Sequence, residues 1–305
     1  MIIPIIVLGI VFLLIAVRDI GKVKLQIWQV MLGGAVTVLL TGRITPIDAF
    51  HAIDFDVVFF LFGMFIIGQA TEDSGYLTHL CHKLFGKVKS VDKLVLAILF
   101  TMGLGAAVLM NDTIAIIGTP VMLLLSKRNH ISTKLLLLCL AFAITTGSVM
   151  SPIGNPQNLL VAMEGNIRNP FVTFARYLFI PTLINGFFAY LFLKLFYKEE
   201  FTKREVRADG EHIQHVRLAK VARISLLLVG GLILLKVALT LVKVDVDFKL
   251  TYIALVGCAP VLIYRFFRKK KRYRFHILRK IDWCTLVFFA AMFVLMESVW
   301  QTGFF

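Results

Sequence analysis

Charge is scarce in this chain. Asp, Glu, Lys and Arg make up 17% of its 305 residues, where soluble proteins carry about 25%, and that shortage excludes one or two ordinary soluble domains. Cysteine is scarce too: Cys81, Cys139, Cys258 and Cys284 lie far apart with no CxxC pair, which reads as small buried hydrophobes rather than a disulfide framework or a zinc site. There is no GxxxxGKS/T, so ATP-driven pumping would need a partner protein. There is no HExxH and no GxSxG either. An intramembrane protease or lipid transferase is therefore poorly supported, and no enzyme activity is expected. The net charge of +15, from 33 Lys and Arg against 18 Asp and Glu, does not imply nucleic-acid binding, because basic loops are how polytopic proteins set their orientation.

Apolar residues are abundant. The chain is 59% hydrophobic with a mean hydropathy of +0.85, arranged in runs about long enough to cross a bilayer. The first, Ile2 to Val17, has its basic cluster (Arg18, Lys22, Lys24) after it, the reverse of a secretory signal peptide, and reads as a transmembrane helix with its N-terminus outside. Ile27 to Leu40, Phe55 to Gln69, Leu94 to Leu125, Leu135 to Thr146, Leu159 to Met163, Tyr177 to Tyr197, Ile224 to Val242, Leu250 to Tyr264 and Ile281 to Val299 follow. Leu94 to Leu125 is too long for one crossing and is interrupted by Asn111-Asp112-Thr113, with Gly103 and Gly105 before and Gly118 and Pro120 after. This pattern predicts a re-entrant helical hairpin whose tip lies inside the membrane. That layout puts 27 of the 33 Lys and Arg residues on the cytoplasmic side, whereas a single crossing would place the run from Arg268 to Arg272 outside, against the positive-inside bias.

An internal repeat is visible. Ile53-Asp54-Phe55, Phe60, Met64-Phe65 and Gly75 align without gaps on Ile281-Asp282-Trp283, Phe288, Met292-Phe293 and Gly303, an offset of 228 with six identities. The charge rule sends the first segment inward and the second outward, as an inverted-topology repeat requires. The expected fold is an all-α polytopic membrane protein, an inverted-repeat transporter type with a re-entrant hairpin, a broken helix and an incomplete second repeat. Residues 1–197 would form the first repeat, with scaffold helices over 1–70, the hairpin over 93–127, the broken helix over 131–164 and a closing helix over 171–197. Residues 198–223 would be a cytoplasmic linker and 224–305 a partial second repeat, lacking counterparts of about residues 78 to 197.

The residues suited to chemistry sit in two interruptions, Asn111-Asp112-Thr113 and the stretch from Ser148 through Ser151-Pro152-Ile153-Gly154-Asn155-Pro156-Gln157 to Asn158. Pro152, Gly154 and Pro156 cannot continue a helix, so a run beginning near Ile131 must break and resume near Asn158. Unwound backbone in lipid is tolerated only where protein covers it or it lines a watery cavity, and broken helices of this kind are where secondary transporters bind solutes. Asn111, Thr113, Ser148, Ser151, Asn155 and Asn158 offer neutral oxygens suited to Na⁺ or to hydrogen-bonding an oxyanion, with Na⁺ placed at Asn111, Thr113, Ser148 and Asn155; Asp112 adds one carboxylate. Plainer roles stand beside these. Asp112 could cap the second hairpin arm, and Ser148 and Ser151 could satisfy backbone groups freed by Pro152. The sequon at Asn111 would be out of reach of glycosylation in mid-membrane. Glu297 and Lys236 read as interfacial, the Arg265 to Arg274 run as a cytoplasmic loop rather than a lipid site, and His79, His82, His212, His215 and His276 as solvated loop residues.

An Asn-Asp-Thr hairpin tip followed by Gly147-Ser148, Ser151-Pro152-Ile153-Gly154-Asn155-Pro156-Gln157-Asn158 resembles the first repeat of the ion transporter superfamily, which includes citrate-transporter-like permeases, arsenite permeases, D-type Na⁺/H⁺ antiporters and divalent anion/Na⁺ symporters. The likeness extends to Ile53-Asp54-Phe55-Asp56 and Ile281-Asp282-Trp283. It implies a scaffold and a mobile transport domain, a homodimer and elevator-type alternating access, with Asn111-Asp112-Thr113 and Gly154-Asn155-Pro156 lining the first half of a shared site. A second hairpin and second broken helix, part of that pattern, do not occur in this sequence.

The expectation is a multi-pass plasma-membrane carrier with cytoplasmic basic loops. It would move a small anion or oxyanion, citrate-like or arsenite-like, coupled to Na⁺ or H⁺ and with no cofactor. A Na⁺/H⁺ antiporter titrating at Asp112 is the alternative. A third reading is a non-transporting fragment, or a half-transporter completed by a second chain. The expected partners are the lipid bilayer, the solute and a second copy.

Overall fold

Each apolar run becomes a helix, and the chain turns where a run is too long or is broken by proline. The computed structural model describes residues 2–17, 19–20, 23–76, 79, 85, 88–165, 167, 169–202, 215–241, 249–267 and 276–303. Cys81, His82, His212, the basic stretch 268–274 and positions 203–214 of the linker lie outside the described residues. Apart from one two-residue antiparallel ladder, β1 (Asp19–Ile20) with β2 (Val23–Lys24), the described elements are helices. Phe55–Ser74, Val91–Leu109, Pro170–Phe196, Val216–Lys236 and Trp283–Trp300 are long and apolar enough to cross a membrane, and four shorter apolar helices accompany them. This is an all-α polytopic membrane protein.

The chain forms two units, Met1–Phe62 with Ile281–Phe305, and Gly63–Lys280. The first contains α1 (Ile3–Val17), α2 (Ile27–Leu40), α3 (Pro46–Ala52), the start of α4 (Phe55–Ser74) and α14 (Trp283–Trp300). Thr45 caps α3 by accepting the Asp48 N–H at 3.1 Å, ahead of Pro46 in its first turn, where a missing N–H costs nothing. Val11, Met31, Ala35, Val38, Val294 and Leu295 form its core.

The second unit holds the remainder of α4, then α5 (Val91–Leu109), α6 (Asn111–Asn129), α7 (Thr133–Val149), α8 (Pro156–Glu164), α9 (Pro170–Phe196), α10 (Lys198–Phe201), α11 (Val216–Leu241), α12 (Leu250–Phe266) and α13 (His276–Lys280). Ser90 and Ser132 cap α5 and α7 through the N–H groups of Lys93 and Leu135. α5 and α7 cross at Gly103 and Gly147, where a Cβ on Gly147 would run into the Gly103 backbone. In lipid, where no hydrophobic force drives helices together, such small residues let backbones approach and gain dispersion contact. Asp92 anchors the base of α5 to the end of α9, accepting from Tyr190 Oη at 2.7 Å and Lys194 Nζ at 2.8 Å.

The offset of 228 carries into local structure. Asp54 accepts the Val57 N–H at 3.1 Å, and Asp282 accepts the Thr285 N–H at 3.0 Å, the same cap three residues upstream. Gly75 and Gly303 end the two helices at φ 69° and 71°, a left-handed conformation that glycine adopts freely. Each unit also contains one junction built alike. A Cβ on Gly34 of α2 would lie 2.6 Å from Val11 Cγ2 of α1, 3.6 Å from Val7 Cγ1 and 3.2 Å from Leu295 Cδ2 of α14. On Gly257 of α12 it would meet Val229 and Ser225 of α11, and Ile67 Cδ1 of α4 at 3.2 Å. Ile67 and Leu295 are partners at the offset of 228, so the two junctions are each completed by one of a pair of matched side chains.

A buried ion pair closes the second junction. Asp73, near the end of α4, accepts from Arg265 Nη2 at 2.7 Å and Lys280 Nζ at 2.8 Å. The Asp73 and Arg265 side chains are 9% and 8% exposed.

Cys139 and Cys258 are buried and unpaired, as small hydrophobes should be, whereas Cys284 is exposed in the first turn of α14. His79 and His276 are helical rather than in loops. Glu297 accepts from Gln301 Nε2 at 3.0 Å.

Candidate functional site

The hairpin turns on a single residue. α5 ends and α6 begins at Met110, whose φ of 71° and ψ of 146° place it where residues other than glycine are rarely found. Asn111, Asp112 and Thr113, expected to interrupt the helix, are instead the first turn of α6. The sequence marked the position of the turn through its polar triplet but not the residue that makes it, since nothing distinguishes Met110 from the apolar residues before it. Asp112 does not cap α6: the cap position is Met110, without a side-chain bond. From the first turn its carboxylate complements the helix's positive end.

The broken helix follows the proline pattern closely. α7 stops at Val149 and α8 starts at Pro156, two residues earlier than the expected resumption near Asn158. Asn155 caps α8, its Oδ1 accepting the Asn158 N–H at 2.7 Å while its Nδ2 donates to Ser148 Oγ at 3.2 Å. The Asn158 amide donates to the carbonyls of Ser148, Val149 and Ser151 at 3.2, 3.0 and 2.9 Å. These are carbonyls left without a helical partner by the break, of the kind every helix end must satisfy. Ser148 Oγ donates to Thr145 O at 3.1 Å and Ser151 Oγ accepts the Ile153 N–H at 3.3 Å, so both serines also serve the backbone. Gly154 is required by space, because a Cβ there would collide with the Ser148 carbonyl.

The two interruptions meet. The Asn111 N–H donates to the Gly154 carbonyl at 2.8 Å, and Asn111 Oδ1 accepts the Asp112 N–H at 2.8 Å. The positive N-terminal ends of α6 and α8 therefore converge on one cluster, a setting that favours negative charge or oxygen-rich solutes. Thr113, Ser148, Ser151 and Asn155 are buried, and Asn111, Asp112 and Asn158 are half-buried. The Asn111 and Asn155 carbonyl oxygens each accept one bond here and keep a second lone pair. Asn158, by contrast, has its amide nitrogen committed to the backbone. Gly68 of α4, not singled out by sequence, also reaches this cluster by packing on Thr113.

Known proteins resemble stretches of the chain that range from 36% to 90% of its length. It is 26% identical over 284 residues to an uncharacterized transporter of Mycobacterium bovis, covering 90% of this chain and 63% of that protein. It is 29% identical over 153 residues to the silicon efflux transporter LSI3 of Oryza sativa subsp. japonica, covering 50% of this chain and 31% of that protein. The inner membrane protein YbiR of Escherichia coli K12 shares 30% over 110 residues, covering 36% of this chain and 30% of that protein. The chain thus spans less than two thirds of the length of these relatives. The sequence pattern of the citrate transporter family matches residues 10–305, and the chain belongs to that family.

Proposed function

We propose that this chain is a secondary carrier of a small anion or oxyanion, coupled to Na⁺ or H⁺. The observation that carries the reading is the bond from the Asn111 N–H to the Gly154 carbonyl. It joins the interruption that carries Asn111 and Thr113 to the one that carries Ser148, Ser151 and Asn155, close to the N-terminal ends of α6 and α8. Freed carbonyls and side-chain oxygens suit a coupling cation, and helix N-termini suit an anion or a hydroxylated acid. Family membership and the silicon efflux transporter among the relatives support carriage over enzymatic turnover. The same reading includes a plasma-membrane location with the N-terminus outside, and a homodimer or a second chain that brings another hairpin and broken helix.

The test is uptake into proteoliposomes under a Na⁺ or pH gradient, with citrate, succinate, arsenite and radiolabelled sodium as solutes. Gradient-driven flux that falls with Asn155→Ala is the expected result. A folded, correctly inserted chain that moves none of these solutes overturns the reading. Asp112 supports a second reading, Na⁺/H⁺ antiport, because it is the one carboxylate among these clustered residues. Asp112→Asn should abolish proton coupling in an antiporter and leave partial uptake in an anion carrier.

A further inference from the structure

We infer that Gly68, on α4, is a positioning residue for the proposed site: by having no side chain it seats the Thr113 hydroxyl where a solute or coupling ion can reach it. The inference rests on the proposed function for its transport consequence and on geometry for the contact. A Cβ at position 68 would lie 2.8 Å from Thr113 Oγ1, 2.9 Å from its Cγ2 and 3.4 Å from its Cβ. The first two distances are shorter than real Cβ contacts, so an added methyl must displace something.

Helix α4 is poorly placed to yield. Five residues earlier, a Cβ on Gly63 would already be 2.9 Å from the Ala254 carbonyl oxygen of α12, and Ile67 lies against Gly257 of the same helix. Beyond Gly68, Asp73 is tied to Arg265 and Lys280. The other party is the first turn of α6, which follows a strained Met110 and holds to the broken helix through the Asn111 bond. An added methyl is therefore relieved by moving Thr113 and, with it, the hairpin tip. The glycine is not a requirement of the repeat either. Position 68 corresponds to Met296 of α14 at the offset of 228, whereas its neighbours Ile67 and Leu295 perform the same packing in both copies. What sets position 68 apart is that it faces Thr113. Among the described residues no hydrogen bond occupies that hydroxyl, although Thr113 is only 6% exposed, which leaves it free to bind a solute.

The experiment is a double-mutant cycle of Gly68→Ala and Thr113→Ala, with Thr113→Ser as the conservative variant, read in proteoliposome flux and in thermal unfolding of the detergent-solubilised full chain. Overpacking of this kind should raise the KM for the transported solute about tenfold in G68A, with kcat changed less. In the T113A background, where the clashing Oγ1 and Cγ2 are gone, G68A should change KM by less than about twofold. G68A combined with T113S, which keeps the hydroxyl and removes the Cγ2 methyl, should recover part of the wild-type KM. Equal effects of G68A in the wild-type and T113A backgrounds overturn the inference, as does a G68A variant with unchanged KM. Should the wild-type chain carry no solute, the proposed function fails, and the unfolding cycle still decides the contact. G68A lowering the melting temperature in wild type but not in T113A supports the seat, and equal lowering in both removes it.

Discussion

The hairpin tip and the broken-helix turn face each other across one hydrogen bond, yet they are built by opposite means. The broken helix is braced from within: Asn158 serves three carbonyls, Asn155 caps α8, and Gly154 lets the loop close onto Ser148. The tip has no side-chain cap and turns on Met110 in an unfavourable conformation, held by burial and by its contacts with Gly154 and Gly68. One half of the proposed site is thus determined by its own sequence and the other by what surrounds it. A site assembled this way can keep its geometry on one wall while the opposite wall is adjusted by a neighbouring helix.

Three tests break or sharpen this comparison. Gly154→Ala should have the largest effect, because the methyl group meets a backbone carbonyl inside a loop that three side-chain bonds already hold. The cost is at least about 3 kcal/mol, the upper end for overpacking, and the expected outcome is loss of monodisperse folded protein in detergent. Recovery of G154A with an unchanged melting temperature would contradict the braced description.

The second is a pair of asparagines. Asn158→Ala removes the amide shared by three carbonyls, of which Ser148 and Ser151 keep backbone donors, and with two N–H groups lost should cost about 2 kcal/mol at roughly 1 kcal/mol per net bond. Asn111→Ala loses one bond to its neighbour's N–H and should cost about 1 kcal/mol. Thermal unfolding of the two variants side by side checks the ranking, and a larger loss for N111A reverses the assignment of braced and docked halves. Both asparagines should also lower flux, but only N111A should do so with the melting temperature nearly kept.

Much of this was legible in the sequence, and the reasons differ by element. The break between α7 and α8 could be placed because Pro152, Gly154 and Pro156 fall within five residues, whereas the single prolines Pro120, Pro181 and Pro260 lie inside α6, α9 and α12 and Pro156 itself opens α8; the hairpin could be placed because thirty-odd apolar residues are too many for one crossing and a single crossing breaks the charge rule. The six-identity repeat pointed to Asp54, Asp282, Gly75 and Gly303, and those residues do share roles. What the sequence did not reveal depends on contacts between distant segments. Met110 is an ordinary apolar residue until its backbone angles are known, and Gly68 is one glycine among several in apolar helices. The Asp73 anchor joins residues separated by 192 and 207 positions. The six candidate donors all lie on the two interruptions that the Asn111–Gly154 bond joins, but nothing in their chemistry showed that Asn158 would spend its amide on the backbone.

The smallest predicted effect tests the tip directly. Truncating the fully buried Met110 removes packing whichever small residue replaces it, so neither Met110→Gly nor Met110→Ala alone measures strain. Their difference does. Alanine must keep the positive φ, at a cost of about 1–3 kcal/mol for a residue with a Cβ in this region, whereas glycine adopts it without that penalty. Glycine's greater freedom in the unfolded chain takes back about 0.4–1 kcal/mol, leaving M110G more stable than M110A by roughly 1 kcal/mol. At an unstrained helix junction the order is the reverse, because alanine favours helix. If M110A unfolds at the higher temperature, the tip is not strained, and the contrast between a braced and a docked half reduces to the asparagines. If M110G is the more stable of the two, the hairpin is held in its turn by its surroundings. A substitution such as Gly68→Ala, which alters those surroundings, should then act on transport through the tip.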